Sequence, residues 1–217
     1  MKIQSGPSPV ALPRRDRVLL HGLSWQQFET VLTTLGAASG ARIAYDLGTL
    51  EIMTPLPEHE YYKDAIGDAI KDIAEILEQD YECLGSATWR REAQKVGVEP
   101  DNCFYLQNES RIRGKLQYDL ATDPPPDLVL EIDLTSKSLD RFPIYARLGV
   151  PEIWCYDAGK LQVFVLGGDL YQPASQSLAF PQVPVSEILT LIERHRHQGR
   201  RILRQKVRAW AQQFKGV

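Results

Sequence analysis

No run of about 18 apolar residues occurs anywhere in the 217-residue chain, so nothing in it reads as a membrane-spanning helix. The opening, MKIQSGPSPVALPRRDRV, lacks the continuous apolar stretch of a secretion signal, and the expected location is the cytoplasm. Cysteine is scarce. Cys83, Cys103 and Cys155 are scattered and odd in number, with no CxxC pair, which argues against a disulfide framework, a redox pair or structural zinc. There is no GxxxxGK[ST] phosphate cradle and no GxSxG turn, and His21, His59, His195 and His197 stand near no marked nucleophile. A basic excess is missing too: the net charge of -3 gives no overall nucleic-acid signature. No internal repeat is visible.

Hydrophobic residues make up 43% of the chain. That suffices for one well-filled core and is short for two, so one domain is expected over residues 1–217. Residues 1–16, with Pro7, Pro9 and Pro13, read as an irregular arm. Ser24 with Gln27 three positions later forms a capping box ahead of Phe28, Val31 and Leu32, predicting a first helix that ends near Gly36. RIAYD, LG and TLEIM predict a hairpin turning at Gly48. Tyr62, Ile66, Ala69, Ile70, Ile73 and Leu77 recur at helical spacing and predict a long helix from about Glu58 to Glu78. On its wheel His59 falls in the inner sector and Glu60 at the flank of that stripe.

The stretch TWRREAQKVGVEPDNCFYLQ reads as two strands. DPPPD makes a rigid approach to the next strand, in which Leu128, Leu130, Ile132 and Leu134 share one face and Val129, Glu131 and Asp133 the other. A short helix around Ile144–Leu148 stops at Gly149, and PEIWCYD reads as a strand. KLQVFVLGGDLYQ then reads as a hairpin turning at Gly167 and Gly168. Strand, helix and strand in succession imply a crossover within a mixed sheet. The remainder is helical, with Leu203, Val207, Trp210 and Phe214 as the inner stripe of the last helix. Charge is uneven there: residues 187–217 carry Arg194, Arg196, Arg200, Arg201, Arg204, Lys206, Arg208 and Lys215 against Glu187 and Glu193. Such a basic helix could track a phosphate backbone or simply present a solvated face.

The residues that point to chemistry are acidic. Asp101 follows Pro100 at the start of an apolar run, and Glu131 and Asp133 sit inside a strand that is mostly buried. Unpaired carboxylates there would each cost several kcal/mol. Delivered by adjacent strands, they could form an oxygen-ligand site for a divalent cation, Mg²⁺ or Mn²⁺. Beside a phosphodiester such an ion polarises the phosphoryl oxygen and lowers the pKa of a bound water. The same acids could equally be ion-paired with Arg90, Arg91 or a helix N-terminus as a structural solution. His59 could position a phosphate or a water, or be a satisfied core histidine.

Four segments, LGTLEIMTPLPEHE, GVEPDNCFYL, DPPPDLVLEIDLTS and SLDRFPIYARLGVPEIW, resemble in order and separation the motifs of the Uma2 (DUF820) family, cyanobacterial type, of the PD-(D/E)xK nuclease superfamily. The likeness covers about residues 40–160 as a nuclease-like core. It implies a restriction-endonuclease-like α/β fold, a central mixed sheet flanked by helices with the acidic site at one sheet edge. By position Asp101 corresponds to the PD aspartate and Glu131 to the acid of the (D/E)xK motif, both metal ligands. His59 and Glu60 correspond to the polar start of the helix against the active site. The departure lies at the lysine: two residues after Glu131 this chain has Asp133. Similar sequences often carry a lysine four residues before the tyrosine matching Tyr145, and here that position is Arg141. Lys137 is the nearest lysine, and Lys95 another candidate. An arginine stabilises charge but stays protonated, so it does not readily serve as a general base.

The resemblance therefore implies a Mg²⁺-dependent DNA endonuclease in which Asp101 and Glu131 hold metal, Asp133 assists, and Lys137 or Arg141 faces the scissile phosphate. It also implies a homodimer that cuts both strands. The alternative is a catalytically inactive module that keeps the fold and binds nucleic acid or a protein partner.

Overall fold

A computed structural model describes residues 17–36, 40–133 and 139–216. The capping box at Ser24 forms in both directions: the Gln27 N–H donates to Ser24 Oγ, and the Ser24 N–H donates to the Gln27 side chain. It opens α1 (Trp25–Leu35), which Gly36 closes with a positive φ. Strand β1 (Arg17–Leu20) precedes it, and β2 (Arg42–Asp46) and β3 (Thr49–Met53) form the expected hairpin. Its two turn residues, Leu47 and Gly48, both have positive φ, the geometry that matches the twist of the flanking strands. Phe28 of α1 stacks on Tyr45 of β2 with ring centroids 4.5 Å apart. Gly97 makes room for that ring, since a Cβ there would stand 2.5 Å from Phe28 Cζ.

The long helix α2 (Pro57–Ile76) starts on a proline, whose missing N–H costs nothing at a helix start. After it come β4 (Glu82–Cys83), β5 (Trp89–Arg91), β6 (Val96–Val98) and β7 (Asn102–Tyr105). The segment expected as two strands thus divides into three. The break is a single 3₁₀ turn, Glu92–Gln94, followed by Lys95 in the left-handed region. Next are α3 (Glu109–Ile112), β8 (Leu128–Asp133), α4 (Phe142–Leu148), β9 (Glu152–Asp157), β10 (Lys160–Gly167) and β11 (Leu170–Ala174). The last two helices are α5 (Val185–His195) and α6 (Arg200–Ala211).

The α/β architecture is as expected, with one difference in the sheets. The strands form two: a six-stranded mixed sheet ordered β11-β10-β9-β8-β7-β4, and a five-stranded antiparallel sheet ordered β1-β3-β2-β6-β5. The split arises because the β2–β3 hairpin pairs with β6, and β1, which the sequence did not announce, adds to β3. Within the mixed sheet β8 and β9 are parallel, joined through α4, which is the predicted crossover. Leu128, Leu130 and Ile132 face a core shared with α2, α5 and α6. Val129 faces a second core of α4 and β6 residues. Glu131, on the side of Val129, therefore points toward the seam between the sheets.

The basic C-terminal region has a use that the sequence did not suggest. Leu203, Val207 and Trp210 bury the inner stripe, with Phe214 packed beside it. Arg204 and Arg208 turn toward α2, where both bond the fully buried Asp72, at 2.8 and 2.6 Å to Oδ1. Arg208 also reaches Glu75, and Lys215 reaches Glu78. Arg204 and Arg208 thus tie α6 to α2, and with Lys215 beyond the helix they are not simply a solvated face. Among the described residues no helix is long and apolar enough to cross a membrane.

Candidate active site

Pro100 ends one extended segment and Asp101 stands just before β7. β7 and β8 run antiparallel with Asn102 opposite Leu130. Continuing that register by one sets Asp101 across from Glu131. Both acids are buried, at 1% and 8% exposure, so their charges must be met by neighbours. Asp101 Oδ2 accepts the N–H of Ile132 at 2.7 Å, which fixes the carboxyl against β8. His59 Nε2 stands 3.0 Å from the same oxygen, close enough for ion pairing when protonated, although the ring is not aligned for a hydrogen bond. Asp101 Oδ1 is buried with no hydrogen-bond partner.

Glu131 is held differently. Tyr145 Oη donates to its Oε1, and Arg141 Nη1 donates to Oε2 at 2.9 Å. Arg141 is the N-cap residue of α4 and Tyr145 lies one turn into that helix, so a single element delivers both donors. The second arm of the Arg141 fork reaches Glu51 Oε1 at 3.5 Å. Glu51, on β3 and 2% exposed, also stands 3.5 Å from Arg17 Nε. The seam between the sheets thus gathers acids from both, bridged by one arginine.

The electrostatics separate the two central acids. Burial pushes the Glu131 carboxyl up to about 7, and the neighbouring Asp101 charge pushes the same way, against Arg141 and Tyr145. Burial also works against ionised Asp101, but His59, Arg141 and the Ile132 N–H outweigh it and leave that group below the usual carboxylate range. For Arg141, burial opposes its charge, while Glu131, Tyr145, Asp101 and Glu51 together raise its pKa. Near neutral pH Asp101 is therefore ionised and Glu131 is poised to gain or lose a proton.

Glu131, Arg141 and Glu51 border a cavity of about 40 Å³ whose lining also includes Arg17, Asp133 and Asp140. That is room for a cation or a few waters, so a nucleotide would have to lie at its mouth. Among the described residues no cluster of three or more acids, histidines or cysteines is arranged to hold a metal. Two carboxylates are nevertheless a suitable set for Mg²⁺ or Mn²⁺, which keep several waters and take the rest of their oxygens from substrate. Asp101 Oδ1, buried and unpartnered, is the atom such an ion would satisfy.

Of the residues singled out in the sequence, Asp101, Glu131, Arg141 and His59 converge. His59 is fully buried, facing inward as its place on the wheel predicted. Asp133 borders the cavity. Glu60, 39% exposed, is engaged with Lys63 and Arg42 and stands 3.5 Å from His59 Nδ1, so it meets the acid pair only through that ring. Lys137 lies outside the described residues. Lys95 is elsewhere, paired with Glu92 and 5.7 Å over the Trp25 ring. Arg90 pairs with Glu29, and Arg91 with the carbonyls of Arg147 and Leu120, so neither neutralises the acids. The site lies at strand ends inside the mixed sheet, facing the second sheet, and not on an edge strand, because β8 is flanked on both sides. Sequence reasoning missed Glu51 as a site residue and used Tyr145 only as a landmark. The one signal for Glu51 was a charge inside the apolar strand TLEIM.

Fold and site together define an α/β protein with a buried acid pair at the seam of two sheets, one member of which, Glu131, lines a small cavity. A family model, Uma2, described as "Putative restriction endonuclease", matches residues 25–197, and the chain belongs to that family. Among solved structures it is similar to a protein of Anabaena variabilis described as "a putative nuclease belonging to DUF820". The likeness is 15% identity over 78% of this chain and 90% of that one, with a TM-score of 0.42, too loose to carry an argument. No curated protein matches the chain.

Proposed function

We propose that the protein is a metal-dependent endonuclease that hydrolyses DNA phosphodiester bonds. The observation that supports this most is the unpartnered, buried Oδ1 of Asp101 beside Glu131, a second carboxyl that burial raises to about 7. Asp101 and Glu131 would hold Mg²⁺ or Mn²⁺, which when bound supplies Lewis-acid polarisation of a phosphoryl oxygen.

The chain's own residues have separable tasks. The Ile132 N–H and His59 fix the Asp101 carboxyl. Tyr145 orients Glu131 by its hydroxyl. Arg141, permanently charged, suits the growing negative charge on the phosphate, and cannot serve as the base. Asp133, at the cavity wall, would assist, as a carboxylate that could accept a proton from an attacking water. Two copies, one for each strand, would complete a double-strand cut.

The test is cleavage of supercoiled and single-stranded DNA by purified protein with Mg²⁺, Mn²⁺ or EDTA, beside Asp101→Ala and Glu131→Ala. Metal-dependent nicking lost in both variants is the expected result. Nicking absent under every condition would leave the other reading, a nuclease-fold module that binds nucleic acid or protein without turnover. The hold of Arg141 on Glu131 is the observation in favour of that reading.

A further inference from the structure

Glu131 does not wait for its positive charge; an arginine already supplies one. Arg141 is only 10% exposed, and its fork spans two acids from different sheets, with a short contact to Glu131 at 2.9 Å and a longer one to Glu51 at 3.5 Å. Glu131 Oε1 is taken by Tyr145 and Oε2 by Arg141, while the facing Asp101 Oδ1 has nothing. A divalent cation bridging Asp101 and Glu131 would need a Glu131 oxygen that now faces the guanidinium. Two cations on one carboxylate oxygen repel strongly in so dry a place. The acid that the other arm of the arginine already contacts is Glu51.

We infer that Arg141 is a resident counter-cation of Glu131 which a divalent cation displaces, and that Glu51 is the positioning residue that receives it. Resting on the metal-site reading above, this makes metal binding an exchange of one positive charge for another. Glu131 is then never left without a cation, and the guanidinium stays at the cavity wall, where a phosphate would approach. Glu51 touches neither metal nor substrate; it acts through Arg141. Because the two cations compete for one carboxylate, whatever weakens the arginine's hold on Glu131 strengthens the metal's, by at most the same factor.

Calorimetric titration of the full chain with Mn²⁺, paired with melting curves with and without Mn²⁺, tests this without any nuclease assay. Arg141→Gln should bind Mn²⁺ roughly tenfold tighter or more, melt lower than wild type without metal, and recover when Mn²⁺ is in excess. Arg141→Lys keeps a charge but cannot fork between two carboxylates. It should shift affinity in the same direction by less, and it serves if the glutamine variant does not fold. Glu51→Gln should weaken Mn²⁺ binding in the wild-type background and have no effect when Arg141→Gln is already present. A purely structural Glu51 would not show that dependence. Wild-type Mn²⁺ binding that is lost in Asp101→Asn but unchanged or weakened in both Arg141 variants would overturn the exchange and leave the metal site standing. No Mn²⁺ binding in wild type or either Arg141 variant would remove the metal site, and the exchange with it.

Discussion

Two buried glutamates on neighbouring parallel strands are held in opposite ways. Glu131 stands beside Cys155 in the β8–β9 register, and Glu152 beside Leu128. Glu152 is fully buried and accepts from Trp154 Nε1 at 2.6 Å and from the N–H groups of Leu178 and Ala179 at 2.8 and 2.9 Å. Its donors are neutral and fixed, and they staple the segment after β11 to the sheet. Burial raises its pKa, and those donors pull it back. Glu131 is met instead by a charged, forked arginine and a tyrosine hydroxyl, beside a cavity and an unpartnered oxygen. Burial of an acid therefore does not mark a site. What sets Glu131 apart is a charged partner, open volume and a neighbour left unsatisfied.

The comparison sharpens most under substitution. Asp101→Asn and Glu131→Gln should each lower metal-dependent cleavage on the order of a thousandfold, the scale of losing several kcal/mol of charge stabilisation. Glu152→Gln should leave the rate per folded molecule unchanged. Cleavage that falls equally in all three would erase the distinction. In unfolding by denaturant the ranking should reverse. Glu152→Ala leaves two buried donors and the part-buried Leu178 N–H without their acceptor and should destabilise by about 3 kcal/mol, with Mn²⁺ binding by the folded fraction intact.

A smaller effect lies in pH. Because the folded pKa of Glu131 is raised from 4.5 to about 7, the folded state holds the extra proton between those values. The stabilisation is full below about pH 4.5 and is lost as pH rises through about 7. Metal-free protein should therefore lose on the order of 2 kcal/mol over that window, and Glu131→Gln should lose the slope. A slope unchanged in the variant would assign it elsewhere. Smallest of all, Asp72→Asn should cost about 1–2 kcal/mol by weakening the bonds from Arg204 and Arg208.

How much of this could be read in advance follows from the range of each signal. The capping box at Ser24, the hairpin at Gly48 and the α2 stripe are patterns within a few residues, and each formed as read. Asp101, Glu131, His59 and Arg141 were legible because the family motifs mark them. Glu51 was not, since its partner lies 90 positions along the chain. The basic end of the chain misled for the same reason. Arg204 and Arg208 look solvated until Asp72, more than 130 residues earlier, is seen to lie beneath them. The second sheet was hidden because strand pairing such as β2 with β6 leaves no local trace.

The Asp72 clamp has one more consequence. α2 is a rigid rod with His59 in its first turn and Asp72 thirteen residues on, roughly 20 Å along the axis. Arg204 and Arg208 pin the far end of that rod, so the aim of His59 at Asp101 depends on a joint remote from it. A tilt of about three degrees at the joint would carry the imidazole about 1 Å off its mark, a misplacement that can cost an active site on the order of a hundredfold in rate. Helix α6 thus acts as the rear sight of the candidate site.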